Sequence, residues 1–411
     1  MKSICIPATP PVDIGQFLPI IDHPHFQKLR ERKQLGINYL IFPGAVHTRF
    51  EHTLGVLSLT QRLCRIHGID GERARTLQAF ALLHDIGHGP FSHQIEPVLA
   101  DDHHEIGESR ILEMHESIIA CGVSPATILD MLRGKHPDAL WISDRNLGTD
   151  KLDYLMRDAL HIGFHGTPDI ERLQFNTHHL GDRLAIEAKY LEDAKQLQRF
   201  YSYLHQHGYL NKTALIAQRV LQRAICEELE ASGDSGSHLW DMTDSELMTW
   251  LMSFKNDSAK RLIEAIATRR LPKTAIVIKP VGYDFVETTA DKQLSVHEWQ
   301  RTDLQRFCRR YDTPSELVKL ENRLADELGC ARGDILIAPM PYFRKLLPHD
   351  LTIMAHSADN CFLLLEKDID HRRALESDYL RTFAIRITAP ASLRQRVAES
   401  SERILPLLLA L

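Results

Sequence analysis

The segment AFALLHDIGHGPFSH, residues 79–93, places a histidine and an aspartate directly after a run of apolar residues. An unpaired charge buried in such a run costs several kcal/mol, so His84 and Asp85 need a partner. The preceding stretch GERARTLQAFALL, residues 71–83, has helical periodicity, and GHGP at 87–90 contains the glycines and the proline that end helices. The sequence therefore predicts a helix that carries His84 and Asp85 in its last turn.

The composition is that of an ordinary globular protein. Of the 411 residues 44% are hydrophobic and 25% are charged, which argues against disorder and against a coiled coil. The net charge of −6 indicates no general basic surface, so nucleic-acid binding would need a local patch. The seven cysteines form no C-x-x-C pair, which fits a reducing cytoplasm. The chain shows neither a signal peptide nor an apolar run of membrane-spanning length, so we expect a cytoplasmic protein without membrane contact.

The chain divides into two regions of different hydrophobic pattern near Leu271. The stretches with helical pattern before this point are HEIGESRILEMHESIIA, DKLDYLMRDALHIG, YLEDAKQLQRFYSYLHQHGY and NKTALIAQRVLQRAICEELEA. The β-type runs after it are TAIVIKP, DILIAPM, LTIMAH, NCFLLLEKD and FAIRITAP, and two helical patterns separate or follow them. We predict a mainly α fold, with an all-helical core over residues 1–270 and a smaller α+β lobe over residues 271–411.

The His-Asp pair has neighbours that suit a metal ion. An isolated His-Asp dipeptide is usually satisfied by backbone groups, but here other histidines and aspartates surround it in the sequence. Imidazole and carboxylate together bind a divalent ion and leave coordination positions for water and substrate. The candidate metal ligands are His52, His84, Asp85 and Asp150. Such a site accepts Mn, Fe, Co, Ni, Zn or Mg, depending on geometry and supply.

The helix that begins at Asp150 has two different faces. One arc holds Asp150, Tyr154, Arg157, Asp158 and His161, and the opposite arc holds Leu152, Leu155, Met156, Ala159 and Leu160. We expect the apolar arc to pack in the core. A charged arc usually means only solvation, but tyrosine, arginine, aspartate and histidine differ from the common Lys/Glu pattern. We interpret this arc as the lining of a site.

Four motifs in this order resemble the HD-domain phosphohydrolases. They are HTRFEH at 47–52, HDIGHGPFSH at 84–93, HHEIG at 103–107 and TDKLDYLMRD at 149–158. The chain is most similar to the deoxynucleoside triphosphate triphosphohydrolases, whose leading segment also resembles IDHPHFQKLRERKQLGINYLIFPGAVHTRFEHTLGV. The resemblance spans about residues 21–163. No segment resembles the SAM domain of the human type, and the region after residue 271 is only weakly similar.

The resemblance implies roles for individual residues. It makes His52, His84, Asp85 and Asp150 the metal ligands, as the residue types had suggested. Positions that handle phosphates or assist proton transfer correspond to Arg49, His88, His93, His104 and Lys151. Positions of the deoxyribose pocket correspond to Gln34, Leu35, Tyr154 and Asp158. In this pocket Leu35 would crowd a 2′-hydroxyl, and the polar groups would hold the 3′-hydroxyl.

One segment departs from the family pattern. Enzymes of the human type place an arginine, a tyrosine and a lysine on the helices that correspond to residues 204–220. Our alignment puts His207, Leu215 and Gln218 at these places, and a shift in register would bring in Lys212 or Arg219 instead. The sequence therefore departs from the family at positions that contact the phosphates and the base, but not at the metal ligands.

A regulatory function is also implied by the resemblance. In the family an aspartate, a glutamine and an arginine hold an activating guanine nucleotide at a subunit interface, and Asp22, Gln27 and Arg30 match them. The same residues would serve equally in an amphipathic helix that packs beside Gln34 and Leu35. We expect a homo-oligomer, either a dimer or a tetramer.

Three functional hypotheses follow. The first is metal-dependent hydrolysis of deoxynucleoside triphosphates to deoxynucleoside and triphosphate. The second is another HD phosphohydrolase, which acts on nucleoside monophosphates, phosphodiesters or single-stranded nucleic acid. The third is a nucleotide sensor without catalysis, although such a sensor would not need the complete set of metal ligands.

Overall fold

Helices make up most of the chain. The computed structural model describes residues 2–253, 256–283, 293–340 and 347–409. The helices before residue 170 are α1 (Leu18–Ile21), α2 (Pro24–Lys28), α3 (Arg49–Ile66), α4 (Gly71–Leu83), α5 (His103–Glu113), α6 (His115–Ala120), α7 (Pro125–Leu132), α8 (Leu140–Ser143) and α9 (Thr149–Ile162). The later helices are α10 (Ile170–Phe175), α11 (Leu191–Leu204), α12 (Lys212–Ser232), α13 (Asp244–Met252), α14 (Asp257–Ala267), α15 (Arg301–Arg310), α16 (Pro314–Leu328), α17 (Leu364–Lys367), α18 (Ile369–Thr382), α19 (Arg394–Glu399) and α20 (Ser401–Leu409).

The strands form three small sheets. They are β1 (Ser3–Ile4), β2 (Val12–Asp13), β3 (Thr177–His179), β4 (Leu184–Glu187), β5 (Lys273–Pro280), β6 (Ser295–Trp299), β7 (Leu336–Pro339), β8 (Thr352–Met354), β9 (Cys361–Leu363) and β10 (Ile385–Ala389). Strands β1 and β2 pair with each other, and the two larger sheets have the orders β6-β5-β10-β7 and β3-β4-β8-β9. The β5–β6 and β4–β8 pairs are parallel, whereas the others are antiparallel.

Local sequence signals explain where the helices near the site begin and end. The Thr48 hydroxyl accepts a hydrogen bond from the backbone N–H of Glu51 and caps α3. Asp102 and Glu105 form a reciprocal capping box at the start of α5. Gly163, with φ of +78°, ends α9 in the left-handed conformation that glycine adopts without strain. These signals determine where α3 and α5 begin and where α9 ends.

The mainly α fold with a smaller C-terminal α+β lobe is confirmed, and the structure adds several details. The first 270 residues also contain the short strands β1 to β4, so this region is not helical throughout. The helical pattern over residues 104–120 is interrupted at Met114, and the pattern over 190–209 ends in a π-helical turn at His205–Tyr209. On α9, Leu152, Leu155 and Ala159 are buried as expected, but Leu160 is half exposed.

Elements before and after the proposed boundary at residue 270 pack against each other. Strand β4 pairs with β8, and one of the two hydrophobic cores combines α12, α13 and α14 with the sheet around β5. The buried carboxylate of Glu321 on α16 accepts hydrogen bonds from Arg219 at 2.8 Å and Arg223 at 2.9 Å on α12. The two-domain division therefore stays a prediction. Among the described residues, no helix has the length and apolar character needed to cross a membrane.

Candidate metal centre and substrate cavity

Helix ends position the four predicted metal ligands. His52 lies in the first turn of α3, and Asp150 lies in the first turn of α9. His84 directly follows the last residue of α4, with Asp85 next to it. The helices α3 and α9 approach closely at Gly55, where an added Cβ would lie 2.1 Å from Oδ1 of Asp153. The absence of a side chain at Gly55 thus lets the two ligand-bearing helices meet.

Both candidate histidine ligands have their tautomer set by a second hydrogen bond. Nδ1 of His84 donates to the Ala81 carbonyl at 2.9 Å, and Nδ1 of His52 donates to the Asp153 carboxylate at 2.8 Å. Metal-binding histidines commonly donate their other ring N–H to a carbonyl or carboxylate in this way. In both residues Nε2 is therefore the nitrogen left for an ion. Nε2 of His84 is buried and has no hydrogen-bond partner among the described residues.

Ligand atoms of His52, His84 and Asp85 lie within 4.8 Å of one another, and Asp150 lies beside both histidines. Nε2 of His84 lies 3.5 Å from Oδ1 of Asp150 and 3.6 Å from Oδ1 of Asp85. Nε2 of His52 lies 3.1 Å from Oδ1 of Asp150 and 3.6 Å from Oδ2 of Asp85. Two imidazole nitrogens and two carboxylates at such separations form a donor set that suits a first-row divalent ion. The residues present therefore fit a metal.

The carboxylates determine the charge of this cluster. Burial lowers the pKa of His52, but its hydrogen bonds to Asp150 and Asp153 outweigh burial and raise the pKa to about 10. Burial raises the pKa of Asp85, but the nearby charges of Arg49 and His84 hold it well below its usual range. Because a metal requires the neutral imidazole of His52, we expect metal binding to release protons.

Arg49 and His88 contact the candidate metal ligand Asp85. A guanidinium nitrogen of Arg49 contacts the Asp85 carboxylate, and its Nε donates to the Ser92 hydroxyl at 2.7 Å. Ser92 adopts φ of +54°, a left-handed conformation that costs a non-glycine residue energy and often marks a functional loop. Nε2 of His88 lies 3.3 Å from Oδ1 of Asp85. Burial, followed by the charge of Arg49, lowers the pKa of His88 well below its usual range.

The histidines predicted to assist proton transfer occupy different surroundings. His93 is exposed, and its Nδ1 donates to Glu96 at 2.9 Å. His104 is exposed on α5 and does not belong to the described lining of the cavity. Its neighbour His103 instead bonds Glu96 at 2.5 Å and stacks on His88. The role of His104 stays a prediction, and the sequence reasoning did not include His103 or Glu96.

A cavity of about 470 Å³ opens from the metal centre and contains the predicted sugar residues. Asp85 and Asp150 line its floor together with Gln34, Leu35, Tyr154 and Asp158. Oε1 of Gln34 is buried without a hydrogen-bond partner among the described residues, so it is an acceptor open to a substrate hydroxyl. Two of the four candidate metal ligands and all four predicted sugar residues thus line one cavity.

Asp158 has two protein partners that the sequence reasoning missed. Its carboxylate accepts hydrogen bonds from Nε2 of His47 at 2.8 Å and from the Tyr209 hydroxyl at 2.5 Å. His205 and Tyr209 of the π-helical turn line the cavity together with Tyr201 of α11. Tyrosines thus line this part of the cavity, although our alignment had placed none there. Of the aligned positions, Leu215 and Gln218 line the cavity and His207 does not belong to its described lining.

Lys151 is buried beside the cavity. Its Nζ lies 3.2 Å from the centroid of the Tyr201 ring, an arrangement that stabilises a cation through the ring quadrupole. Burial lowers the pKa of Lys151 to about 7, although the charge of Asp150 opposes this shift. Its predicted contact with phosphate stays a prediction.

The predicted regulatory residues lie on or directly after the first two helices, and two of the three contact each other. Nε2 of Gln27 donates to the Ile21 carbonyl at 2.6 Å, and Nε of Arg30 donates to Oε1 of Gln27 at 2.8 Å. The Arg30 guanidinium also lies 3.5 Å from the centroid of the Phe50 ring. Asp22 is exposed at the end of α1. These contacts suit a structural role, and the activator site stays a prediction.

The helical fold and the His/Asp centre define an HD-domain protein, and comparison with known proteins agrees. The HD domain family matches residues 49–158, and the HD associated region matches residues 169–304. The chain thus contains an HD domain followed by its associated region, and it resembles the deoxynucleoside triphosphate triphosphohydrolases.

Several relatives show how far the similarity extends. The human deoxynucleoside triphosphate triphosphohydrolase SAMHD1 is 30% identical over 333 residues, which cover 64% of this chain and 53% of the human protein. An uncharacterised protein of Methanocaldococcus jannaschii is 28% identical over 390 residues, which cover 94% of this chain and 77% of that protein. A phosphohydrolase structure from Bacteroides thetaiotaomicron has a TM-score of 0.71 and 21% identity, and the match covers 95% of this chain and 100% of that one. This chain thus spans about half of the length of SAMHD1.

Proposed function

We propose that this protein is a metal-dependent hydrolase of deoxynucleoside triphosphates, which releases deoxynucleoside and triphosphate. The observation that carries the proposal is that Asp85 and Asp150, which lie beside His52 and His84, line the same cavity as Gln34 and Leu35. The similarity to SAMHD1, which is named for this activity, supports the choice of substrate.

The residues around the centre suit an in-line attack of water at the α-phosphorus. When bound, a divalent ion would lower the pKa of water and polarise a phosphoryl oxygen. Arg49 lies beside Asp85 and would stabilise the negative charge that develops on the phosphoryl oxygens. Lys151 lies outside the described lining, against Tyr201 of the cavity wall, and would be the second cation. His93 lines the cavity and would donate a proton to the departing 5′ oxygen when the bond from phosphorus to this oxygen breaks.

The sugar end of the cavity favours deoxyribose. The unpartnered Oε1 of Gln34 would accept a hydrogen bond from the 3′-hydroxyl. Leu35 is buried in the cavity wall and would contact the 2′ position of the sugar. A 2′-hydroxyl placed against this apolar side chain would lose its hydrogen bonds to water without gaining a partner.

A specific observation favours hydrolysis of a nucleoside monophosphate as a second candidate. Among the described residues that line the cavity, Arg49 is the only arginine or lysine, and it already contacts Asp85. Three aspartates line the same cavity. A triphosphate brings more negative charge than a monophosphate, so it would rely more strongly on bound cations.

A product assay tests the proposal. The metal-loaded protein is incubated with dNTPs, NTPs, dNMPs and short oligonucleotides, and the products are identified by mass. Deoxynucleoside and intact triphosphate support the proposal. Inorganic phosphate or shortened oligonucleotides support another HD phosphohydrolase, and tight binding without turnover supports a sensor. The His84→Ala variant serves as the blank for contaminating phosphatase.

A further inference from the structure

A buried arginine lies behind the candidate metal centre. The residue pattern of α9 predicts Arg157 on the arc that lines a site, but its side chain is only 4% exposed and does not belong to the described lining of the substrate cavity. A buried charge costs free energy unless it is paired, so the contacts of Arg157 indicate what it does. In this position Arg157 acts on the reaction only through other residues.

All five N–H donors of the Arg157 guanidinium have a partner. Nε and Nη2 donate to the two carboxylate oxygens of Asp153, each at 2.9 Å. Nη1 donates to the Glu51 carboxylate at 2.9 Å and to the Pro7 carbonyl at 3.3 Å. Nη2 also donates to the Thr9 hydroxyl at 3.2 Å. The guanidinium is thus held from several sides, and its orientation is fixed.

The carboxylate that pairs with this arginine also orients the candidate metal ligand His52. Oδ2 of Asp153 lies 2.8 Å from Nδ1 of His52 and 2.9 Å from Nε of Arg157. The Asp153 side chain is only 3% exposed. A carboxylate whose two oxygens both bond to one planar guanidinium is held in a single orientation. Asp153 therefore keeps the His52 imidazole turned so that its Nε2 lies beside Asp150.

A glycine on α3 makes room for this ion pair. A Cβ at Gly55 would overlap both Oδ1 of Asp153 and a terminal nitrogen of Arg157. Glycine inside a helix is less favourable than alanine, because it loses more backbone freedom on folding. The fold accepts this cost at the point where the Asp153–Arg157 pair meets the helix that carries His52.

A strained turn near the start of the chain contacts the guanidinium from another side. Ala8 adopts φ of +52°, a left-handed conformation that is unfavourable for residues other than glycine. The carbonyl before it, on Pro7, and the hydroxyl after it, on Thr9, both accept hydrogen bonds from Arg157. Strain of this kind persists where surrounding contacts over-determine it. The turn therefore belongs to the contacts that fix the guanidinium.

We propose that Arg157 is a positioning residue of the metal centre, which holds Asp153 so that His52 presents Nε2 to the ion. Groups that bond to a metal-binding histidine in this way fix the orientation and the tautomer of its ring. The inference rests on the metal centre of the proposed function, but it does not depend on the identity of the substrate.

The affinity for Mn²⁺ tests the proposal. The protein is stripped with a chelator and titrated with Mn²⁺ in a calorimeter. Arg157→Lys keeps the positive charge, but a single ammonium group cannot reproduce the paired bonds of the guanidinium to Asp153. We expect its dissociation constant for Mn²⁺ to rise by about 10- to 100-fold. Gly55→Ala should also weaken binding, because its Cβ displaces the pair while every charged group remains.

An arginine in a second buried ion pair provides the matched control. Nε and Nη2 of Arg219 bond the two oxygens of Glu321, each at 2.8 Å, and this pair joins α12 to α16. Neither helix carries a candidate metal ligand. Arg219→Lys should therefore bind Mn²⁺ as tightly as the wild type, although it alters a comparable ion pair. Thermal unfolding verifies that each variant is folded.

The possible results separate the positioning role from the proposed function. Folded Arg157→Lys and Gly55→Ala proteins with the dissociation constant of the wild type would overturn the positioning role. An equal loss of affinity in Arg219→Lys would also overturn it, because the effect would then follow from stability alone. If the variants lose affinity as expected but the wild type hydrolyses no dNTP, the positioning role stands and only the proposed function is contradicted.

Discussion

At the scale of single residues, the hydrogen bonds of two histidines prepare the metal centre. His84 and His52 each donate Nδ1–H to a fixed acceptor, so Nε2 of both rings is left for the ion. The acceptor for His52 is Asp153, three residues after Asp150 on the same helix. The sequence reasoning treated Asp150 alone as the carboxylate of this turn. The repeated aspartate in TDKLD is a signal that could have indicated a supporting residue.

Replacement of His84 by alanine should remove both the bound metal and the hydrolytic activity. The side chain supplies a ligand whose Nε2 has no other described partner, and the loss of one ligand of four removes most of the affinity. Metal content and turnover of His84→Ala are measured beside His115→Ala as the surface control. A variant that keeps its full metal content would show that His84 is not a ligand.

Replacement of Leu35 by alanine should weaken the preference for deoxyribose. Contact of this kind discriminates by about 1–3 kcal/mol, so the wild type should prefer a dNTP over its ribonucleotide by about 10- to 200-fold in kcat/KM. The preference is measured in the wild type, in Leu35→Ala and in the exposed control Leu112→Ala. Equal kcat/KM values for the two sugars in the wild type would show that Leu35 does not exclude the 2′-hydroxyl.

His205 should make the stability of the protein depend on pH. Burial, and to a smaller extent the charge of Lys151, lower its pKa from 6.5 to about 4. Between these values the unfolded chain binds a proton that the folded protein does not, so the free energy of unfolding falls as the pH drops through this window. The His205→Gln variant should lose less stability than the wild type between about pH 7 and pH 4. Urea unfolding at several pH values measures the difference.

The control for this prediction is a histidine outside the cavity. His115→Gln changes an exposed side chain and should retain the pH dependence of the wild type. If the stabilities of the wild type and His205→Gln fell in parallel over the whole range, the buried histidine would not be the group responsible.

At the scale of elements, the buried contact between α12 and α16 joins the two predicted regions. Both guanidinium groups from α12 are buried, and they share the carboxylate of Glu321. The same carboxylate accepts the backbone N–H of Ile337 on β7 at 2.9 Å. The Glu321 side chain thus links its own helix α16 to α12 of the first region and to strand β7.

Replacement of Glu321 by glutamine should destabilise the protein strongly. Two buried guanidinium groups would lose their counter-charge, and removal of one partner from a buried ion pair costs about 3–5 kcal/mol. Glu327→Gln on the same helix breaks an exposed pair with Arg403 and should cost about 0–1 kcal/mol. Urea unfolding of both variants provides the comparison. A loss below about 1 kcal/mol in Glu321→Gln would show that solvent compensates the two arginines.

At the scale of the whole molecule, the predicted assembly remains to be measured. We expect a homo-oligomer. If Asp22, Gln27 and Arg30 form an activator site, its mass and dATP hydrolysis rise in the presence of GTP or dGTP, because a ligand bound only by the assembled form stabilises it by mass action. Sedimentation velocity and turnover are measured with and without nucleotide. The Asp22→Asn variant tests the exposed member of the predicted activator site.

The structure also supports the opposite outcome for these residues. Gln27 and Arg30 already bond to each other and to the backbone within the first helices. Unchanged mass and unchanged turnover with GTP would leave Asp22, Gln27 and Arg30 a structural role. If GTP raised the mass of both the wild type and Asp22→Asn, assembly would depend on the nucleotide but not on the Asp22 carboxylate.

The sequence by itself determined the elements whose signals are local. The helices α4 and α9 follow from apolar periodicity and from end signals such as Gly163. The candidate metal ligands could also be named in advance, because imidazole and carboxylate groups beside buried helices need a charged partner. Periodicity and residue chemistry act over a few residues, so they can be recognised without the fold.

Only the tertiary structure decided which distant residues meet. Strand β4 pairs with β8 more than 160 residues later, and such pairing leaves little trace in the alternation of short strands. That His103 and not His104 bonds Glu96 and stacks on His88 depends on how α5 packs against the loop at Gly87. The positions of Tyr209 and Asp153 likewise depend on the contacts of α9 with its neighbours. These contacts are set by packing between elements, which no local pattern records.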